Sequence, residues 1–226
     1  MDDGEREIVM LARVSTEQMK PDQVEEAKRL LRETWAPFLR QQRGSKGLIT
    51  LQARDDPGKF MHLTVWETEA DFEAYKKERL RPGAPPRLPV AAPDRPAGTE
   101  MFEVTALMLT PGSGGQKFAR VFTAPMKPDI VEEVRRRAME TWFPFWSQQR
   151  GFTGVLSLES RDVPGKIIWL TLWTTAADID AHTTSDEYRQ LVTDFESVFQ
   201  SARTAPPASE VFEVTLIDLI GVAAPA

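Results

Sequence analysis

The sequence predicts an α+β protein made of two copies of one unit, each with the element order β-α-β-β-α-β. The segment TWAPFLRQQRG at residues 34–44 returns as TWFPFWSQQRG at residues 141–151. The same spacing of 107 residues relates the two halves without a gap from Arg13 to Trp66. The chain therefore contains a true internal repeat, and each copy has the length of a small domain.

The first unit has the sequence pattern of a strand, a helix, a hairpin, a second helix and a last strand. Apolar and β-branched residues at 8–16 indicate a strand. Pro21 begins a helix, and acidic residues follow it where the helix dipole favours negative charge. The remaining expected elements are a hairpin with strands at 48–54 and 60–66, a helix that begins after Thr68 and fades near Leu80, and a strand at 101–109.

A proline lies inside the first helix of each unit, at Pro37 and Pro144. Proline lacks the amide hydrogen that a helix interior uses, and its ring clashes with the preceding turn. We therefore expect each helix to kink or to end one turn later, with residues 41–44 forming the helix end and a turn.

The second unit follows the same order but differs in its second helical region. Residues 176–202 contain no proline and predict one long, regular helix, whereas residues 82–98 contain six prolines and predict a loop. The other expected elements of this unit are strands at 118–123, 155–161, 166–173 and 210–220 and a helix at 128–149. The predicted boundaries are a first unit at 7–110, a linker at 111–116 and a second unit at 117–222.

Composition argues against several classes of partner. The 226 residues carry a net charge of −6 with basic and acidic residues interspersed, so we expect no nucleic-acid partner. The chain has no cysteine, which excludes disulfides and thiolate chemistry and fits a cytoplasmic protein. The acidic start lacks the apolar part of a signal peptide, and no apolar run approaches the roughly 20 residues of a membrane span. We expect a cytoplasmic protein with no membrane partner.

The element order is that of a ferredoxin-like unit, in which two helices cover one face of an antiparallel sheet. The other face of such a sheet is bare, and two units can cover each other's. The tandem copies therefore predict an intrachain pseudo-dimeric α/β barrel. This barrel would be a monomer that needs no second chain to cover its core. The sequence does not decide whether two such chains also form a homodimer.

Several residues give the sequence a family resemblance. The element order, the Pro-Gly-Lys hairpin turn and the string WTTAADIDAH at 173–182, followed by Ser185 and Tyr188, resemble the antibiotic biosynthesis monooxygenase (ABM) family. The first unit departs from this pattern, because Tyr75 stands where the second unit has His182. The resemblance implies ligand pockets between each sheet and its helices. For some members it also implies cofactor-free oxidation of quinol-like or polyketide aromatics, while others degrade haem or have no known activity.

Strand alternation separates two kinds of side chain on the hairpin. Leu63 and Val65 belong to an apolar face, whereas Thr64 and Trp66 belong to a mixed face that is the predicted pocket wall. Aromatic walls with a few polar groups are the usual lining of a small-molecule site. The candidate substrate-binding residues are Arg13, Trp35, His62, Thr64, Trp66, Trp142, Trp169, Thr171 and Glu213.

The resemblance implies a catalytic set in the second unit, consisting of Arg120, Trp173, His182 and Tyr188. Arg120 would hold an ionised substrate oxygen, and His182 or Tyr188 would relay a proton. Trp173, at a strand end, would help to exclude water. Since the histidine is not repeated, one active and one degenerate pocket fit the sequence better than two active ones.

These residues also have structural interpretations. Trp35 and Trp142 occur at the spacing of a helix core and would chiefly pack. His182 could be an exposed helix histidine. Ion pairs that line the barrel are an alternative for the arginines; the pairs would be Arg13 with Glu103 and Arg120 with Glu213.

Several chemistries lack the residues that they need. No cluster has metal-ligand spacing, and the glycine-rich segment at 112–115 lacks the lysine of a phosphate loop. Haem degradation in the manner of the ABM family would use an asparagine of the first strand, and the chain contains none; haem binding by His62 or His182 ranks third.

The leading hypothesis is a cofactor-independent monooxygenase of a quinol, phenol or polyketide-like aromatic. The alternative is a non-catalytic ligand-binding or structural protein.

Overall fold

The computed structural model describes residues 10–90, 98–110, 115 and 117–220. The predicted strand start at Ile8, residues 91–97 of the proline-rich segment, nearly all of the linker and the last residues of the second unit lie outside this range. The described strands are β1 Leu11–Gln18, β2 Ser45–Ala53, β3 Lys59–Trp66, β4 Gly98–Leu109, β5 Phe118–Pro125, β6 Phe152–Ser160, β7 Lys166–Trp173 and β8 Ala208–Leu219. The described α-helices are α1 Val24–Leu30, α2 Ala36–Arg40, α3 Glu69–Glu78, α4 Val131–Arg137, α5 Phe143–Ser147, α6 Ala176–Thr184 and α7 Asp186–Phe199.

The eight strands form one closed antiparallel barrel in the order β1-β3-β2-β8-β5-β7-β6-β4. Within each copy the order is that of a ferredoxin-like sheet, β4-β1-β3-β2 and β8-β5-β7-β6. The last strand of each copy joins the sheet of the other, since β8 pairs with β2 and β4 pairs with β6. The predicted α+β fold of two ferredoxin-like units in an intrachain barrel is confirmed.

The barrel interior is built from the apolar faces of both sheets. Leu63 and Val65 of β3 pack in one cluster with Leu170 and Leu172 of β7, and none of the four is more than 1% exposed. Because alternate side chains of a strand point to opposite faces, the neighbouring mixed-face residues point outward to the helices. Each copy therefore covers the bare face of the other.

Each first helix passes its proline by means of a π-helical turn. The turn Leu31–Trp35 leads into α2, which contains Pro37 in its first two residues, and Ala138–Trp142 leads into α5 in the same way. The wider turn makes room for the proline ring and tolerates its missing amide hydrogen. The helices then end at Arg40 and Ser147, about one turn after the prolines, as predicted.

A glycine turns the chain sharply after each of these helices. Gly44 and Gly151 have φ values of 67° and 76°, in the left-handed region that glycine adopts without strain. A Cβ atom at either position would also lie 2.3 Å from a carboxylate, that of Asp71 or Asp178. Residues 41–44 therefore form the predicted helix end and turn.

The two copies differ in what covers the outer face of the sheet. After α3, residues 79–90 are turns and irregular chain, and Val90 forms a bridge to Met19 after β1. In the second copy, α6 and α7 cover the sheet. The prediction of one regular helix at 176–202 is wrong, because Ser185 has an extended backbone and its Oγ accepts from the Tyr188 N–H at 3.1 Å to cap α7. No helix in the described part of the chain is long and apolar enough to cross a membrane.

Candidate functional site

A cavity of about 140 Å³ lies in the second copy, between the sheet and its covering helices. Its lining comes from the outward faces of β5 and β7, from the helical run that contains α4 and α5, and from α7. An engineered cavity of similar size, about 150 Å³, admits benzene. The cavity therefore has room for one aromatic ring.

Aromatic side chains form most of the apolar wall. Trp142 ends the π-helical turn and Trp146 follows four residues later, so both lie on one helix face with ring centroids 5.7 Å apart. Trp169 of β7 stacks on its cross-strand partner Phe122 at 5.7 Å, with the ring planes 9° apart. Phe195 of α7 makes edge contacts with Trp142 and Trp169. Such a wall favours a flat, apolar ligand.

Arg120 and Tyr188 form a polar end of the cavity. Arg120 Nη2 donates to the Tyr188 hydroxyl at 2.9 Å, and its Nε donates to Ser209 Oγ at 2.9 Å. The guanidinium also lies over the rings of Phe122 and Tyr188, at 5.5 and 5.6 Å from their centroids. Its hydrogen-bond partners in the described chain are hydroxyl groups and not carboxylates. Its charge is therefore available to an anionic oxygen of a ligand.

Arg203 and Glu196 form a second polar part of the lining. The two side chains make a direct ion pair through Arg203 Nη2, and both are largely buried. Arg203 is held there because its backbone bridges to Met126, just after β5. Since this pair is neutral overall, the net positive charge at the cavity comes from Arg120.

His182 lies behind Tyr188 and does not line the cavity. Its ring is 4.9 Å from the ring centroids of both Tyr188 and Trp173, and the residue is 3% exposed. Burial, and secondarily the charge of Arg120, lower the pKa of His182 to about 4. The imidazole is therefore neutral at pH 7, and neither ring nitrogen has a hydrogen-bond partner in the described chain. The interpretation of His182 as an exposed helix histidine is wrong.

Trp173 is fully buried behind the cavity wall. Its indole N–H donates to Thr171 Oγ1 at 2.9 Å, and Thr171 is the residue that borders the cavity. Trp173 therefore positions Thr171 and packs against His182. Eight of the predicted site residues belong to the second copy. Five of the eight line the cavity, namely Arg120, Trp142, Trp169, Thr171 and Tyr188.

Three buried N–H groups of cavity-lining residues lack an acceptor in the described chain: Trp142 Nε1, Trp146 Nε1 and Arg203 Nε. Buried donors without partners are rare in folded proteins, and each costs about 1–3 kcal/mol. All three are donors that are buried within the walls even with the cavity empty, so they do not identify atoms of a ligand. No group of three or more His, Cys, Asp or Glu residues in the described chain could hold a metal ion.

The tryptophans of the first copy lie at the corresponding places in different surroundings. Trp35 Nε1 donates to the Pro86 carbonyl oxygen at 3.1 Å, so a backbone group of the proline-rich segment satisfies it. Trp66 is fully buried, and its Nε1 donates to Thr64 Oγ1 at 3.0 Å, as in the second copy.

The polar candidates of the first copy include His62, which is buried, and Arg13, which is partly exposed. His62 is 5% exposed, and its Nδ1 lies 3.2 Å from Thr50 Oγ1. Burial, and then the charge of Arg13, lower the pKa of His62 to about 3. Arg13 donates to Thr99 Oγ1 at 3.2 Å, and burial is the main cause that lowers its own pKa.

Neither of the two predicted ion pairs occurs. The described contacts of Arg13 and Arg120 are those given above, and Glu103 instead lies 3.9 Å from Arg161. Glu213 is exposed and does not line the cavity, because its position on β8 pairs with Phe118 at the start of β5.

Sequence reasoning missed Trp146, Phe195 and Arg203. A signal existed for Trp146, which follows Trp142 by four residues and replaces Leu39 of the first copy. Phe195 is one apolar residue among several in its helix. Arg203 had no signal, because its position depends on where the chain goes after α7 ends.

The sequence model of the antibiotic biosynthesis monooxygenases matches the chain twice, at residues 10–80 and 118–194. The chain belongs to the antibiotic biosynthesis monooxygenase (ABM) family. Each match begins at or next to the first strand of a copy, so both copies are ABM units, which agrees with the internal repeat.

Solved structures share this fold at low sequence identity. A candidate monooxygenase from Fusobacterium nucleatum has a TM-score of 0.69 at 14% identity, and the match covers 93% of this chain and 94% of that one. An anthrone oxidase-like protein has a TM-score of 0.64 at 15% identity, with 98% of both chains covered. A candidate monooxygenase from Lactobacillus acidophilus has a TM-score of 0.66 at 8% identity, with 93% and 96% covered. No curated protein matches the sequence significantly.

Proposed function

We propose that this ABM protein is a cofactor-independent monooxygenase that oxidises a small quinol- or phenol-type aromatic in the second-copy cavity. The observation that carries the proposal is the position of Arg120, a cation without a carboxylate partner at one end of an aromatic cavity. Membership of the family and the fold shared with an anthrone oxidase-like protein support the reaction class.

Arg120 activates the substrate by binding its ionised oxygen. A positive charge in a mostly apolar cavity lowers the pKa of a phenol, because it stabilises the phenolate. The Tyr188 hydroxyl, already bonded to Arg120, hydrogen-bonds to the same oxygen. The stacked Trp169 and Phe122 hold the ring flat and keep water away from it.

His182 is the proton acceptor in this proposal. Its pKa of about 4 leaves it neutral at pH 7, and the charge of Arg120 is one of the two causes of that low value. A phenolate bound to Arg120 compensates this charge, so the pKa of His182 rises as the substrate is ionised. Proton uptake by His182 and anion binding by Arg120 therefore favour each other.

The chemistry needs dioxygen as the only co-substrate. A ring carbon beside the ionised oxygen forms a C–O bond with dioxygen, and the peroxide takes up the proton held by His182. Loss of the remaining hydrogen at that carbon breaks the O–O bond, leaves a carbonyl and releases water. All four electrons that reduce dioxygen come from the substrate, so a hydroquinone yields a hydroxyquinone and one water.

One observation favours the alternative of a binding protein without turnover. His182 does not line the cavity, and Tyr188 separates it from a ligand. If Tyr188 does not move, the cavity binds an aromatic ring without a base that reaches it.

Oxygen uptake by protein stripped of metal and flavin tests the proposal against hydroquinones and anthrone-type aromatics. We expect uptake equimolar with quinone formation, and a decrease of about 10²–10⁴-fold in kcat in His182→Gln, as for loss of a general base. Binding of the same compounds without uptake would contradict turnover and support the binding protein.

A further inference from the structure

The repeated arginines Arg13 and Arg120 each bind a hydroxyl group on the last strand of their own copy, that of Thr99 or Ser209. In both copies the hydroxyl residue lies two positions before the cross-strand partner of the arginine. Such a diagonal neighbour is within reach of a long side chain. The arginines are 107 positions apart and the hydroxyl residues 110 positions apart, so the bond recurs despite the different lengths of the intervening chain.

The two copies differ in the guanidinium atom that makes this bond. Thr99 Oγ1 accepts from the terminal Nη2 of Arg13 at 3.2 Å, whereas Ser209 Oγ accepts from the inner Nε of Arg120 at 2.9 Å. The inner nitrogen carries one of the five N–H groups of a guanidinium. The bond to Ser209 therefore leaves all four terminal N–H groups of Arg120 for other partners. The Tyr188 hydroxyl accepts from one of them at 2.9 Å, and three remain.

The terminal end of the Arg120 guanidinium lies at the cavity. Arg120 and Tyr188, which are joined through Nη2, both line the cavity. Arg120 Nη1 has no hydrogen-bond partner in the described chain, and it is not among the buried atoms that lack one. Unlike the indole nitrogen of Trp142, it therefore remains open to a ligand.

Ring contacts alone do not set the direction of this guanidinium. The rings of Phe122 and Tyr188 lie 5.5 and 5.6 Å from it, measured to their centroids. A contact between a cation and a ring face still allows the guanidinium to rotate within its own plane. The two hydrogen bonds, from Nε to Ser209 and from Nη2 to Tyr188, fix that rotation.

We propose that Ser209 is a positioning residue that holds Nε of Arg120 and so directs the terminal nitrogens to the ionised oxygen of the substrate. The inference rests on the proposed function and adds a residue to its anion site. Ser209 is exposed and does not line the cavity, so it acts through Arg120. In Ser209→Ala, water can bond to Nε, but this water is not attached to the strand. The positive charge then stays while its direction is lost.

Binding of 4-nitrophenol tests the proposal without turnover, because only the ionised form of this probe is yellow. Absorbance titrations above and below its ionisation give the ratio of the two dissociation constants, neutral phenol over phenolate. We expect the wild type to prefer the phenolate about tenfold, close to the size of one hydrogen bond to a charged group. Ser209→Ala should reduce this preference to about threefold or less.

Two further substitutions separate positioning from a general effect on the strand. Ser209→Thr supplies the hydroxyl that the first copy has at Thr99 and should restore the preference. Ser209→Val has the shape of threonine without its hydroxyl and should behave as Ser209→Ala does, which keeps the test available if the alanine variant does not fold. Thr99→Ala removes the matched bond outside the cavity and should leave the preference unchanged.

Arg120→Gln distinguishes this inference from the proposed function and should abolish the preference. A preference that is lost in Arg120→Gln but unchanged in Ser209→Ala and Ser209→Val would overturn the role of Ser209 and leave the anion site intact. Equal losses in Ser209→Thr and Ser209→Val, or in Thr99→Ala and Ser209→Ala, would also overturn it. A wild type that does not prefer the phenolate would contradict both the anion site of the proposed function and its positioning by Ser209.

Discussion

In the first copy, the row of side chains across the outer face of the sheet is Ser15, His62 and Thr50. In the second copy, the same row is Phe122, Trp169 and Ser157. Two of three positions thus change from small or polar to large and aromatic. The same backbone frame therefore holds a buried polar row in one copy and an aromatic cavity under a helix in the other.

What the copies share is mostly structural. The Trp–Thr hydrogen bond at the end of the hairpin occurs in both, between Trp66 and Thr64 and between Trp173 and Thr171. The turn glycines and the helix-capping threonines also recur. A residue that occurs twice in this chain is therefore more often part of the frame than part of the chemistry.

The largest expected difference between the copies concerns their arginines. We expect Arg120→Gln to lower kcat/KM for hydroquinone about 10²–10³-fold, because the substrate anion loses a preorganised positive group. Arg13→Gln should change kcat/KM less than about twofold, since Arg13 belongs to the first copy and does not line the cavity. Steady-state oxygen uptake at pH 7 measures both.

Equal losses in the two arginine variants would contradict the expected difference between the copies and require an active site in the first copy. Circular dichroism melts of both variants provide the folding control. Arg135→Gln provides the control for a change of net charge, because the Arg135 side chain is half-exposed at the surface of α4.

The element order and the barrel were predictable because repeat spacing and strand alternation are local properties. The two-residue alternation of the strand was enough to place the apolar face with Leu63 and Val65 inside the barrel. The break at Ser185 was not predicted, although serine before two acidic residues is a typical N-cap. The absence of proline from residues 176–202 outweighed that signal.

The site was only partly predictable from the sequence. Alternation placed Thr171 and Trp169 on the face that borders the cavity. It could not show that Pro86 satisfies Trp35, because that bond joins residues 51 positions apart through an irregular segment. It also could not separate His182 from the cavity, because Tyr188 comes between them only after α6 and α7 pack.

Acid stability gives a second, smaller test of the two copies. His62 and His182 are both buried neutral, with pKa values of about 3 and about 4 against an ordinary value near 6.5. Below pH 6.5 the unfolded chain therefore binds more protons than the folded chain does. Stability is fully present above that value and is lost as the pH falls toward the folded pKa of each histidine. Between pH 7 and pH 5 we expect each histidine to account for roughly 1–2 kcal/mol of lost stability.

Urea unfolding at pH 7 and pH 5 measures this loss. His62→Gln and His182→Gln should each reduce the pH dependence of the free energy of unfolding, by similar amounts. A flattening in only one variant would mean that one histidine is protonated in the folded state at pH 5. The copies would then differ in water access as well as in shape.

The smallest expected effect tests whether the frames are equivalent. Thr68 and Thr175 each accept a hydrogen bond from the backbone N–H three residues later, at 3.2 and 3.1 Å, and each hydroxyl donates to the carboxylate of that residue, Asp71 or Asp178. We expect Thr68→Ala and Thr175→Ala each to lower the free energy of unfolding by about 1 kcal/mol, the usual value of a helix cap. The serine variants should restore most of this loss. Because the two caps make the same hydrogen bonds, the alanine variants should lose similar amounts. A difference above about 1 kcal/mol between them in urea unfolding would show that the second helix of one copy contributes little to its stability, and that the frames are not equivalent.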